Sequence, residues 1–409
     1  MKSTIAVLVA AIAVAACGGG ASPIKVATPR DCVNGPGISA TEIRVGAIFP
    51  TSGQNGPFFK AAGLGVQARF KAENDAGGIG GRRLTMTAAD DGDGQLANVN
   101  AARHLLVDDK VFGLIEVSTS ADGGGKFLAD EGVPVTGWGI TSAWGMYRNM
   151  FGYRHSTSPK PKGEPVTRTA QFIKDHGGHR VAIVAGGATA SVNVANQVAE
   201  TVPALGMAVG YKTTELALGE LDFAVPIREM ITAKVDSLYT GLSANQNVAL
   251  YKAAVAAGLH LKVALFPTGY DDRFASAYGK DLEGVYVAID WRPFELPVPA
   301  HQRFKDYLEA VAPGEFPSQL AMIGWLSADT FIRGLREAGA GCPTRKAFIS
   351  NLRRVRDYNA DGLVPPTDFS AVFGKMPLCF YYLRLHDSHF VPQGDQPFCG
   401  VLLRDYKRS

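Results

Sequence analysis

The 409-residue chain contains no run of five or more like charges, and its formal net charge is only +3. Neutralising a phosphate backbone needs a concentrated basic surface, so nucleic acid is excluded as the main partner. No Cys-x-x-Cys pair occurs, which leaves thiol redox catalysis and zinc ribbons without support. His-Glu-x-x-His and Gly-x-Ser-x-Gly are absent too, so neither a metalloprotease helix nor a nucleophile elbow is present. No internal repeat stands out, which sets aside solenoids and propellers. Beyond the first residues no stretch offers about 18 uninterrupted apolar residues, so a mature chain is expected to have no membrane span. What is abundant is apolar: 46% of residues are hydrophobic and 19% charged, enough for a packed core. The length suits about two to three ordinary domains.

Lys2 precedes an apolar segment, Ile5 to Ala16, of only about a dozen residues, the dimensions of a signal-peptide core rather than a span. It ends Val-Ala-Ala-Cys before three glycines, which resembles a bacterial lipobox. The resemblance implies a signal peptide over 1–16, cleavage before Cys17 and lipidation of its thiol, anchoring the protein outside the cytoplasm. Residues 17–37 are rich in Gly, Pro and Ala and read as a flexible tether. Of the five cysteines, Cys17 is assigned to lipid. The remaining Cys32, Cys342, Cys379 and Cys399 allow three connectivities in an oxidising compartment. Cys379 and Cys399 bracket a terminal hairpin and are expected to pair, leaving Cys32 for Cys342.

Short apolar runs alternate with helical patterns. Strands are expected at 43–49, 83–89, 112–117, 133–138, 181–187, 235–242 and 262–268, with helices between them. In 247–258 the spacing places Val248, Tyr251 and Val255 on one helical face, and 300–339 reads as one long helical stretch with Ala328, Phe331 and Leu335 buried. A hairpin is expected at 379–393 around His386-Asp387-Ser388. The alternation implies parallel βαβ units, in two blocks separated near 155–165. Ligands of such sheets sit beyond the carboxyl ends of the strands, so the loops there matter most.

One of these loops reads Glu-Val-Ser-Thr-Ser-Ala-Asp-Gly-Gly-Gly-Lys-Phe over 116–127. It is not a P-loop: Ser120 stands where the first glycine belongs, and Phe127 where the magnesium-binding hydroxyl belongs. Ser118 and Thr119 are the better candidates, since they lie between a buried strand and a helix start, where free N–H groups favour a carboxylate. The next strand ends in Trp138-Gly139-Ile140-Thr141-Ser142. Gly139 permits close backbone approach, Thr141 supplies a hydroxyl, and Trp138 is either a stacking platform or a core residue. The Asp-rich loop 88–95 lacks the EF-hand ligand order at Gln95 and reads as a solvated loop. The glycines of 77–81 precede a strand and read as a turn. No catalytic constellation, metal site or cofactor site is expected.

The segments 43–56, 74–84, 89–91, the strand–Ser loop and 131–142, in that order and spacing, resemble the type I periplasmic binding proteins of the leucine/isoleucine/valine-binding group of ABC-transporter solute receptors. The resemblance covers about 41–400 and implies an α/β fold with two Rossmann-like lobes, a hinge of three crossovers and a ligand cleft between the lobes. It implies one lobe from 38–156 with 290–362 and another from 157–289 with 363–409. The family's amino-acid binders hold the ligand carboxylate at positions that read Ser118, Gly139 and Thr141 here, and the same cleft would take in Ser52, Thr119, Trp138, Ser243 and Tyr270. In the second lobe the matching loops, Ala190-Ser191, Leu242-Ser243 and Thr268-Gly269-Tyr270, lack the family's acidic group for the ammonium, although Asp271 and Asp272 are near. Trp138, Phe49, Phe58 and Tyr270 favour a sizeable apolar part. The ligand is therefore open among an amino acid, a carboxylate, an amide, a peptide-like molecule and an aromatic. The function implied is a lipid-anchored, monomeric receptor that delivers a small molecule to ABC permease subunits. The other readings are a sensor or co-receptor on the same fold, and a secreted hydrolase.

Overall fold

The computed structural model describes residues 35–53, 56–154 and 164–407. The signal segment, Cys17, most of the tether and Cys32 lie outside the described residues. Apolar runs form the strands and amphipathic segments the helices between them. The order is β1 Glu42–Ile48, α1 Gly56–Asp75, β2 Arg83–Ala89, α2 Gln95–Val107, β3 Leu114–Glu116, α3 Asp122–Asp130, β4 Val135–Gly137, α4 Ala143–Met146 and β5 Met150–Gly152. Next come α5 Arg168–Asp175, β6 Arg180–Gly186, α6 Thr189–Ala204, β7 Ala208–Leu216, α7 Ala224–Thr232, β8 Ser237–Gly241, α8 Ala244–Ala256, β9 Val263–Phe266, α9 Asp272–Tyr278 and β10 Tyr286–Ile289. The chain ends with α10 Pro299–Val311, α11 Gln319–Glu337, α12 Arg345–Leu352, β11 Cys379–His386, β12 His389–Pro392 and β13 Phe398–Cys399.

Two sheets result. One is wholly parallel, five-stranded, in the order β2-β1-β3-β4-β5. The other is eight-stranded, β12-β11-β10-β9-β8-β6-β7 with β13 beside β11. Its β6 to β10 are parallel, and β11 and β12 add an antiparallel margin. Strands β3, β4, β6, β8 and β9 of these sheets are buried almost throughout, as expected of parallel strands covered on both faces. Helices α10 to α12 return to the first lobe, α11 packing on α1, β4 and β3. The chain therefore passes between the lobes three times: after β5, after β10 and before β11. Close approach of α1 and α11 rests on glycine: a Cβ on Gly65 would stand 1.8 Å from the Ala321 carbonyl oxygen, and one on Gly324 2.0 Å from that of Ala62.

Several expectations need correction. The stretch 300–339 is two helices, because Pro313, Gly314 and Pro317 interrupt it; Ala328, Phe331 and Leu335 are buried on the second. On α8, Val248 is buried as expected and Tyr251 half-buried, but Val255 is 48% exposed, and Asn247, Leu250 and Ala254 complete the buried side. Four strands, β5, β7, β10 and β13, escaped the pattern: two are three residues or shorter, and β7 is an edge strand with mixed polarity. The terminal hairpin forms as expected, with Asp387 and Ser388 both at positive φ in its two-residue turn. Cys379 and Cys399 are joined by a disulfide across β11 and β13. Cys342 is disulfide-bonded as well.

Candidate ligand-binding site

Between the lobes lies a cavity of about 1070 Å³ at the carboxyl ends of both parallel sheets, where Gly241 ends β8, Phe266 ends β9 and Ile289 ends β10. From the first lobe come Phe58, Phe59 and Leu64 of α1, Thr119 after β3, and Trp138 and Ile140 after β4. The second lobe supplies the starts of α6 (Ala188 to Ser191) and α8 (Ser243 to Gln246), together with Thr268, Gly269 and Phe274. The crossovers add Asp290 and Met376, the start of α5 adds Arg168, β11 adds Phe380, and the start of α11 adds Ser318 and Gln319. Most of this lining is aromatic or aliphatic, with a few polar groups at helix starts, the usual make-up of a small-molecule site.

The cavity brings together only part of the expected set. Trp138 is half-buried, its ring 6.3 Å from that of Phe59, so its exposed part faces the cavity as a platform. Thr119 lines the wall, its hydroxyl donating to Asp93 at 3.1 Å. Ser243 lines the opposite wall and caps α8, accepting from the Gln246 N–H and donating to the Gln246 side-chain oxygen. Ser118 does not line the cavity. It is fully buried beneath it, donating to Asp91 at 2.5 Å and accepting from the Ser120 N–H. Gly139 and Thr141 are buried and outside the lining, and the Thr141 hydroxyl has no hydrogen-bond partner among the described residues. Ser52 is an exposed loop residue beside Asp90, outside the lining. Tyr270 is buried, its hydroxyl donating to Glu295 at 2.6 Å and accepting from the Phe294 N–H, with its ring packed on Trp291 and Phe390. Phe49 is buried against Gly63 and also stands outside the lining.

Beneath Thr119 sits a polar cluster that the sequence hid. Asp91 is buried rather than solvated, and Asn98 donates both to it, at 2.9 Å, and to Glu116, at 2.7 Å. Burial, aided by the neighbouring carboxylates of Asp91 and Asp122, pushes the Glu116 carboxyl up to about 8 against the pull of the Asn98 hydrogen bond. Nearby, Asp90 is held at about 2: although burial acts upward, the Ser52 hydroxyl and the N–H groups of Thr51, Gly92 and Ser52 favour its charged form. Ser118 and Thr119 donate to Asp91 and Asp93, which ties the loops after β2 and β3 together, while Asp90 ties the loop after β1 to the loop after β2.

Among the lining residues with no signal in the sequence, Arg168 is the buried cation. It opens α5 after the first crossover, is 4% exposed, and lies 3.8 Å over the Phe380 ring. One N–H donates to the Pro377 carbonyl, while Nε has no partner among the described residues. Burial lowers the pKa of its guanidinium, yet an arginine remains charged at neutral pH. Asp290, from the second crossover, accepts the Tyr153 hydroxyl at 2.7 Å, and its carbonyl accepts from Arg154. No pattern in 164–175 distinguishes Arg168 from an ordinary surface arginine, because its burial comes from elements more than 200 residues away.

A family profile described as periplasmic binding protein matches residues 42–389. The chain belongs to that family. Its members are solute-binding proteins rather than enzymes, and they act outside the cytoplasm. This binding protein is 25% identical over 325 residues to Leu/Ile/Val-binding protein homolog 4 of Brucella abortus, covering 75% of each chain. It shares its fold with a solute-binding protein from R. palustris solved in complex with benzoate, at a TM-score of 0.72 and 19% identity, covering 88% of this chain and 97% of that one. The branched-chain amino acid transporter substrate-binding protein LivJ from Streptococcus pneumoniae, solved in complex with isoleucine, superposes with a TM-score of 0.69 at 17% identity, covering 86% of this chain and 98% of LivJ. Among the described residues, no helix of this binding protein is long and apolar enough to cross a membrane.

Proposed function

We propose that this is the lipid-anchored, extracytoplasmic receptor of an ABC importer, which captures a small organic molecule between its lobes and presents the closed form to the permease. One observation carries the reading: a single cavity at the strand ends takes its walls from both lobes and its floor from the crossovers. Contacts made to both walls at once favour a closed state over an open one, and a ligand shifts the balance only by that difference. Thr119 and Trp138 would serve one wall, and Ser243 with the N–H groups opening α8 the other. Cys17 would carry the lipid. One protein of the same fold was solved with isoleucine and another with benzoate, and the curated relative is named a Leu/Ile/Val-binding protein homolog, so both ligand classes belong in the first screen.

The test is a thermal-shift screen of purified mature protein against amino acids, amides, short peptides and aromatic or aliphatic acids. A true ligand at a hundred times its Kd adds about 2.7 kcal/mol of stability. Small-angle scattering should then show the protein contract on binding. A ligand that binds tightly without contraction would refute hinge closure.

A further inference from the structure

The charged groups that line the cavity are unequally engaged. They are the acids Asp271, Asp290 and Glu315 and the cations Lys60, Arg168 and Arg273. Each acid already has a partner. Asp271 caps α9 by accepting from the N–H groups of Arg273 and Phe274. Glu315 pairs with Arg273 at 2.8 Å, and Asp290 accepts from the Tyr153 hydroxyl. Lys60 is exposed at the mouth. Arg168 forms no ion pair among the described residues, makes one hydrogen bond to a carbonyl, and keeps an unpartnered Nε in a site that is 4% exposed.

A buried cation is expensive unless a counter-charge meets it. The Phe380 face offsets part of that cost, and Asp290 shares its field between Arg168 and Arg154, so these three groups keep one surplus positive charge. The starts of α6, α8 and α11 face the same space and add to the positive potential. An ammonium placed here would find no unengaged carboxylate and would meet this positive field.

We propose that the ligand is an apolar organic monocarboxylate without an ammonium group, its carboxylate paired with Arg168 and its body held against Phe58, Trp138 and Phe274. The inference rests on the solute-binding reading above and narrows its ligand class.

Matched probes test it by titration calorimetry on the mature protein: 4-methylpentanoate against L-leucine and 4-methylpentanamide, and 3-phenylpropanoate against L-phenylalanine and 3-phenylpropanamide. In at least one set the acid should bind about tenfold or more tighter than both analogues. Arg168→Gln should weaken the acid about tenfold or more beyond any loss for the amide, and so remove that advantage. An amino acid that binds as tightly as its deaminated partner overturns the inference and leaves the solute-binding reading intact. Equal binding of acid and amide, or a folded Arg168→Gln protein with wild-type affinity for the acid, overturns it as well. If that variant does not fold, the acid–amide comparison on the wild type decides alone. If no probe binds, this inference falls, and the broader screen judges the solute-binding reading separately.

Discussion

Replacing Glu116 by Gln should make the protein's stability less sensitive to pH, in a direction and size that follow from its surroundings. The side chain is wholly buried, takes one hydrogen bond from Asn98, and leaves Oε2 without a partner among the described residues. Its carboxyl titrates at about 8 in the folded protein and at 4.5 when exposed in an unfolded chain. The folded state therefore holds a proton that the unfolded state releases between those values. Stability from this group is intact below 4.5, declines as pH rises, and is fully lost above about 8. The whole penalty is on the order of 5 kcal/mol, and the part that develops from about pH 5 to pH 7 is about 2.5 kcal/mol. Gln keeps the oxygen that faces Asn98 and cannot ionise, at a fixed cost of about 1–3 kcal/mol for an amide with unmet donors. Urea denaturation of both proteins at several pH values reads the difference. The variant should gain on the wild type by about 1.4 kcal/mol per pH unit across the neutral range and level off above about pH 8. A difference that stays constant from about pH 5 to 9 would refute a protonated Glu116 and the buried cluster built on it.

Other outcomes follow from single contacts. Trp138→Ala removes an aromatic platform from the cavity wall and should weaken the ligand by about 1–3 kcal/mol in calorimetry, with little loss of melting temperature because the ring is only half-buried. Gly65→Ala forces a methyl group onto the Ala321 carbonyl between α1 and α11 and should cost about 1–3 kcal/mol or more in denaturant unfolding; an unchanged midpoint would mean that the helices are farther apart. Replacing Cys379 and Cys399 together by Ser opens a link spanning 20 residues and should cost about 3 kcal/mol by the same assay, since the unfolded chain regains that freedom. Cys17→Ala should release the protein from the membrane fraction, as read by fractionation and by loss of lipid mass.

The fold was legible because its elements carry their own signals. Residues 83–89 form a strand with the expected bounds, and the glycines of 77–81 turn ahead of it, Gly77, Gly78, Gly80 and Gly81 all at positive φ. The hairpin at 386–389 was readable for the same local reason. What failed was information carried by distant neighbours. Tyr270 occupies a loop at the end of β9, but Trp291, Phe294 and Phe390 draw its ring into the core, and Glu295 takes its hydroxyl. Arg168 went unnoticed because a carbonyl at Pro377 and a ring at Phe380 bury it. Local pattern locates strand ends; it does not say which of the side chains there face the ligand.

The loop after β3 shows how that division is made. Ser118, Thr119 and Ser120 are chemically near-equivalent in sequence, and a helix start follows them. Asp91 decides among them. Buried at the end of β2's loop, it needs donors, and Asn98 and Ser118 supply them. Ser118 is thereby turned inward, and its hydroxyl also accepts from the Ser120 N–H, which fixes the turn. Thr119, between them, is left on the cavity side. A hydroxyl already donating to a buried carboxylate has no second proton to give a ligand anion, which is why the carboxylate proposed above is paired with a group that has unmet donors. In this cavity the group that fits is Arg168, on the far side of the hinge from the loop where the sequence directed attention.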